Sequence, residues 1–192
     1  MRSPALELGY ALALASVLGC GGAPPPAMSA PADTLPVLAD GQVALVLLAT
    51  NRGEVTTAGA AEPNLRLADI DDYARRAIAD HTAATAREET LLADAGITPL
   101  PSWLSDELMQ RTLVRTLTWV LQSPGRAYDL AYICTELNDD ERVVQAFNRL
   151  VVTIESAPLR AETVRAREMI AQHIALAGDA ISAQGGCLGG GP

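Results

Sequence analysis

Five side chains in this sequence have the types and spacing to share a buried site: Glu54, His81, Glu136, Asp140 and His173. Two imidazoles with two or three carboxylates suit a mononuclear divalent ion such as zinc, or iron or manganese, so these five are the candidate metal ligands. The same set suits plain structure equally well. Buried carboxylates and imidazoles need partners and would most economically find them in one another. On that reading His81 pairs with Asp140, and His173 with Glu54 or Glu136. A dinuclear carboxylate centre needs Glu-x-x-His on two helices. Ile78 and Ile170 stand three residues before the two histidines of the chain, which argues against such a centre.

The five residues are usable only if helices position them. Ile70, Ala74, Ala77, His81, Ala84, Glu88, Leu91 and Ala95 follow steps of three and four, so they share one helical face. The spacing predicts a helix from about Ala68 to Ala95, with Asp69, Asp71 and Asp72 near its positive end and Gly96 stopping it. Glu88 on that seam reads as a residue at the rim. An earlier helix starts at Asp40, whose side chain can cap its first turn, and ends near Ala61 before Pro63. Its inward face is Val43, Leu47, Thr50, Glu54 and Ala58.

After Pro99 and Pro101 a separate helix is expected over Ser105 to Gln122, ended by Ser123-Pro124-Gly125. Trp103 and Trp119 should pack it. The next helix runs from Arg126 to about Ile154 with the seam Asp129, Ile133, Glu136, Asp140, Val143, Phe147, Leu150 and Ile154. The last runs from about Leu159 to Ala183 with Ala166, Ile170, His173, Ala177 and Ala180 inward. No strand competes, because the apolar run Val43 to Leu48 continues a helical pattern.

Four of these helices make an all-α four-helix bundle, with the helix between the second and third bundle helices as a crossover. Its 18 residues span about 27 Å, enough to carry the chain along the bundle. In that topology Glu54 lies ~10 Å up, Glu136 and His173 ~15 Å, and His81 and Asp140 ~20 Å, in the middle of the core. An up-down-up-down bundle with that helix appended is the alternative. Other chemistry is poorly supported. No Gly-rich loop opens a helix, no serine has a nucleophile-elbow setting, and no Cys-x-x-Cys pair occurs.

The start of the chain speaks of export. Arg2 and the short apolar run Leu8 to Leu18 read as a leader too short to span a membrane. It ends Val17-Leu18-Gly19-Cys20, which resembles the lipobox of bacterial lipoproteins. The resemblance implies removal of residues 1–19 and a lipid on Cys20. Gly21 after the cysteine points to the outer membrane, with the domain facing the periplasm. Residues 20–38, rich in Pro, Ala and Gly, form a tether, residues 39–184 the helical domain, and residues 185–192 a Gly-rich tail. Setting Cys20 aside leaves Cys134 and Cys187, which in an oxidising compartment predict one disulfide rather than two free thiols. The net charge of −9 argues against nucleic acid as a partner. The expected partners are the membrane, through the anchor, and an envelope protein docked at the crossover region. The role expected is binding or structure rather than catalysis.

Tyr73-Ala74-x-x-Ala77-x-x-Asp80-His81 resembles the Phe-Ala-x-x-Met-x-x-Asp-His pattern of a bacterial family. Tyr128-Asp129-x-x-Tyr132 resembles the family's Phe-Asp-x-x-Tyr element. Glu54 and His173 stand where it has a Glu in its first helix and a His in its last. The family consists of exported, predicted ferritin-like proteins of unknown function, many with lipoprotein signals. The resemblance covers about Asp40 to Ala183 and implies a ferritin-like bundle, with no assigned activity. Asp140 departs from it, standing where the family usually has a His.

Overall fold

The computed structural model describes residues 37–187. The leader, Cys20, nearly all of the tether and residues 188–192 lie outside the described residues. The rest is all-helical: α1 (Asp40–Ala61), α2 (Ala68–Ala95), α3 (Trp103–Leu121), α4 (Arg126–Leu150) and α5 (Ala157–Ala183), with a 3-10 turn at Glu62–Asn64. Among the described residues there is no strand.

Hydrogen bonds between helix ends set the direction of each element. Asp40, at the start of α1, accepts from the backbone N–H groups of Glu155 and Ser156, just before α5. Asp129, near the start of α4, accepts from those of Arg66 and Leu67, just before α2. So α1 and α5 begin at one end, and α2 and α4 at the other. Leu100 N–H donates to the Gly41 carbonyl, and the Tyr128 hydroxyl donates to the carbonyls of Trp119 and Ala61. Helix α3 therefore starts beside the beginning of α1 and returns the chain to the beginning of α4.

Helix α1 packs on both α2 and α3, α4 packs on α5, and α2 on α5, whereas α1 and α4 scarcely touch directly. Flanked on several sides, α1 is buried almost all round. Gly53 lets α3 come close, because a Cβ there would stand 2.5 Å from Thr112 Oγ1. Two apolar clusters fill the interior. One joins the start of α1 to the ends of α2 and α4 and the start of α5, through Leu47, Leu92, Phe147 and Ile170. The other joins the opposite ends, through Ala61, Ile70, Tyr132 and Ala177. Glu54, His81, Glu136, Asp140 and His173 fall between the two clusters.

Several expectations shift at the ends. Asp40 does not cap its own helix. Ala39 stands at that position, where its N–H donates to the Gln42 side chain, and the Asp40 carboxylate serves the turn before α5 instead. Helix α3 begins two residues early, because Ser102 accepts from the Ser105 N–H and caps it. Helix α4 ends at Leu150, not Ile154, although Ile154 is still buried. The α2 seam holds from Ile70 to Glu88 and then moves to Leu92, leaving Leu91 half-buried and Ala95 exposed. Gly96 closes α2 with φ 64°, a left-handed conformation that favours glycine. Trp119 is buried against Tyr128 and Tyr132, but Trp103 is partly exposed.

Cys134 and Cys187 form the disulfide, with Cα atoms 6.1 Å apart. It ties the segment after α5 back onto α4 across 53 residues.

Candidate functional site

All five residues singled out in the sequence are buried between the apolar clusters. They do not converge on one point. Glu54 and Glu136 face a residue that the seams of the four bundle helices could not reveal, Arg115 of α3. Its Nη1 lies 3.0 Å from Glu54 Oε1 and 3.2 Å from Asp139 Oδ2, and its Nη2 lies 2.5 Å from Glu136 Oε2. One guanidinium thus holds three carboxylates from α1 and α4, and joins two helices that otherwise have little contact.

Electrostatics follow from that geometry. Burial alone would raise the Glu54 pKa, but the charge of Arg115, with help from His81, overcomes it and brings it down to about 2. Glu136 is driven the other way, by burial and by the charge on Glu54, with Arg115 opposing. The two acids titrate as a pair around a single cation. Arg115 itself is held firmly protonated: burial disfavours its charge, but Glu54 and Glu136 outweigh that.

The expected histidine pairs do not form. His81 Nδ1 lies 2.7 Å from Asn51 Oδ1, and not against Asp140. Asn51 Nδ2 in turn donates to Glu88 Oε1 at 2.6 Å and to the Leu47 carbonyl. With the Asn51 amide nitrogen committed to Glu88, its oxygen accepts from a neutral His81 carrying its proton on Nδ1. Glu88 is therefore no rim residue but a fully buried member of this chain of bonds. Burial lowers the His81 pKa to about 4 and raises that of Glu88 to about 7, the latter against the Asn51 hydrogen bond.

His173 pairs through Nε2 with Asp80 at 3.0 Å, rather than with Glu54 or Glu136. Its ring stands edge-on to His81, centroids 5.0 Å apart. Asp140 accepts from the Tyr73 hydroxyl at 3.1 Å, and burial together with the charge of Glu54 raises its pKa. The physical reason for these corrections is reach. Asn51, Asp80 and Tyr73 stand nearer than the carboxylates on the far helices, and Arg115 engages Glu54 and Glu136. Among the described residues no three His, Cys, Asp or Glu side chains are gathered as a metal-ligand set.

Two sequence elements gain a role. In the pair Asp80-His81, His81 turns inward to Asn51 while Asp80 reaches across to α5. In Tyr128-Asp129-x-x-Tyr132, Asp129 caps the start of α2, Tyr128 ties α1 to α3, and Tyr132 packs edge-on against Trp119 and Tyr73. Arg115 was legible in principle. It is the lone charge between Thr112 and Gln122, and two histidines cannot neutralise three buried acids.

The layer has little free volume. A crevice of about 20 Å³ among Thr50, Glu54, Thr112 and Arg115 is large enough for one water. A more open cleft of about 700 Å³ runs between α2 and α5, where Arg87 and Arg165 both pair with buried Glu162.

A family model described as "Domain of unknown function (DUF4142)" matches residues 23–179. The chain belongs to this family. Its span overlaps the region that carried the sequence resemblance and begins before it, and an unknown function is what that resemblance implied. Comparison with curated proteins and with solved structures gave no match.

Proposed function

We propose that this DUF4142 chain is a lipid-anchored envelope protein whose helical domain binds or organises and does not catalyse. The lipobox-like run ending at Cys20 supports an anchor. The tether supports a domain held off the outer membrane on its periplasmic side. The end-to-end order of the helices supports a ferritin-like bundle of α1, α2, α4 and α5, with α3 as the crossover. The observation that carries the functional reading is Arg115. The place a bound cation would take among Glu54, Glu136 and Asp139 is filled by a guanidinium, and the crevice beside it admits water but no substrate.

The test is the metal content of the full chain, purified without chelator or His tag, beside a His81→Ala, His173→Ala variant. Metal well below one per chain in both is expected. Near-stoichiometric metal that the variant loses would overturn this reading in favour of a mononuclear zinc, iron or manganese site.

A second reading rests on the outside of α3. Leu113, Val114, Leu117, Val120 and Leu121 are all exposed there, making an apolar face of the size that marks interaction sites. On this reading α3 is a docking surface. A photo-crosslinking residue placed at Leu117 in cells should give a discrete adduct that the same residue at Val152, an isolated exposed position, does not. The absence of any adduct at Leu117 would overturn it.

A further inference from the structure

We infer that the outer face of α3 is a two-fold self-association face, occupied by α3 of a second copy of this chain. The inference rests on the reading of α3 as a docking surface and names its partner. Met109, Leu113, Leu117 and Leu121 form a single ridge at four-residue spacing, flanked by Val114 and Val120, and all six are exposed. Leu113, Val114, Leu117, Val120 and Leu121 keep 50% to 79% of their surface exposed, a continuous apolar strip of the kind that marks interaction sites. A ridge of i±4 residues fits the groove beside the same ridge on another helix, at a crossing angle near −50°. One helix face can therefore complement itself about a two-fold axis.

Charge selects a copy over other occupants. The chain carries −9, so two copies repel wherever their acidic surfaces meet. Between Thr112 and Leu121 the only charge on α3 is Arg115, which points inward and is bound by Glu54, Glu136 and Asp139. From Leu113 to Leu121 the ridge is thus a neutral strip on an acidic molecule, and two copies crossing there meet without repulsion, with the exposed Asp106 and Glu107 set apart near the start of α3. A membrane-lying helix would instead flank its apolar stripe with free basic side chains. Here the chain has no lysine, and of the two arginines of α3, Arg115 is consumed inside while Arg111 faces Glu107 and Asp139.

The experiment is sedimentation of the full exported chain carrying Cys20→Ser, over about 1 to 100 μM, the range in which a micromolar dimer is measurable. A reversible dimer is expected. Leu117→Glu should weaken it by at least about 100-fold, because a charge would be buried at the centre of the contact. Val152→Glu should leave it unchanged. Unaltered helicity in both variants, by circular dichroism, secures the comparison. Leu113→Cys and Leu117→Cys should give a dimer-sized disulfide product at whichever position lies nearer the axis. A monomer across the whole range, or a dimer indifferent to Leu117→Glu, overturns the inference. A monomer whose Leu117 photo-adduct has a mass other than twice the chain overturns only the second copy. A monomer with no adduct overturns the docking reading as well.

Discussion

On the α3 side of the polar layer, carboxylates from α1 and α4 close on the guanidinium of Arg115. On the α2 and α5 side, His81, Asn51 and Glu88 form a chain of hydrogen bonds with no arginine in it. Both sides are buried, yet they meet the cost of burial differently. The first holds an ionised Glu54 against the Arg115 cation, while burial and the charge of Glu54 push Glu136 towards its neutral form. The second keeps its groups neutral, as the lowered pKa of His81 and the raised pKa of Glu88 express. A compensated charge cluster is sensitive to losing one member. A neutral chain is sensitive to pH, because protonation or ionisation creates a buried charge.

The largest test of that difference is Arg115→Met. It keeps the bulk but leaves Glu54, Glu136 and Asp139 without their cation, and should cost about 3–5 kcal/mol in denaturant unfolding. Adding Glu54→Gln and Glu136→Gln to it should recover much of the loss. A cost below about 1 kcal/mol would mean that the layer relaxes to water and that the charges are not buried in solution.

Next is Glu88→Gln, which keeps the acceptor for Asn51 and removes the ionisation. Glu88 titrates at about 7 when folded against 4.5 when free. The folded chain holds that proton more tightly, so its contribution is complete below about pH 4.5 and is lost as pH rises through 7. The variant should therefore be more stable than the parent at pH 8, by about 2–3 kcal/mol. His81 has the opposite sign, with a folded value of about 4 against 6.5. The unfolded chain takes that proton first, so stability is complete above about pH 6.5 and falls as pH drops toward 4. In the parent the two slopes oppose each other between about pH 4.5 and 6.5. In Glu88→Gln the Glu88 slope is removed, so acidification over that window should lower the stability of the variant relative to that of the parent. Equal slopes would show that Glu88 is ionised in the folded state.

His81→Leu should cost less, about 1–3 kcal/mol, because it strands the oxygen of an amide and not a carboxylate. Had His81 paired with Asp140, the loss would approach that of Arg115→Met, so the two unfolding midpoints order the two arrangements. Smallest is Asp80→Asn. Asp80 is partly exposed and meets His173 at the edge of the layer, so the change should stay within about 1 kcal/mol. A larger loss would make the His173 pair a buried ionic contact like that of Arg115.

Much of the fold was legible because helices write their buried faces at steps of three and four. The seams through His81, Glu136 and His173 are buried over nearly their whole length, and the cysteines left after Cys20 are bonded. Gly96 and Gly125, next to the ends of α2 and α4, punctuated those helices as glycines do. What a seam cannot express is the partner across it. A step pattern places His81 on the inward face, but whether Asn51 or Asp140 meets it depends on the rotation and spacing of α1 and α4, set by packing of the whole core.

The sequence by itself determined the helices, the buried positions of Glu54, His81, Glu136, Asp140 and His173, and the family. Only the tertiary structure decided that α3 lies against α1 through Gly53 and sends Arg115 inside. It likewise decided that Leu113, Leu117 and Leu121 face outward. The reason is that amphipathic spacing states which residues share a face, whereas the direction of that face is set by neighbours distant in sequence. For α3 Arg115 turned in, where Glu54, Glu136 and Asp139 meet it, and Leu113, Leu117 and Leu121 turned out.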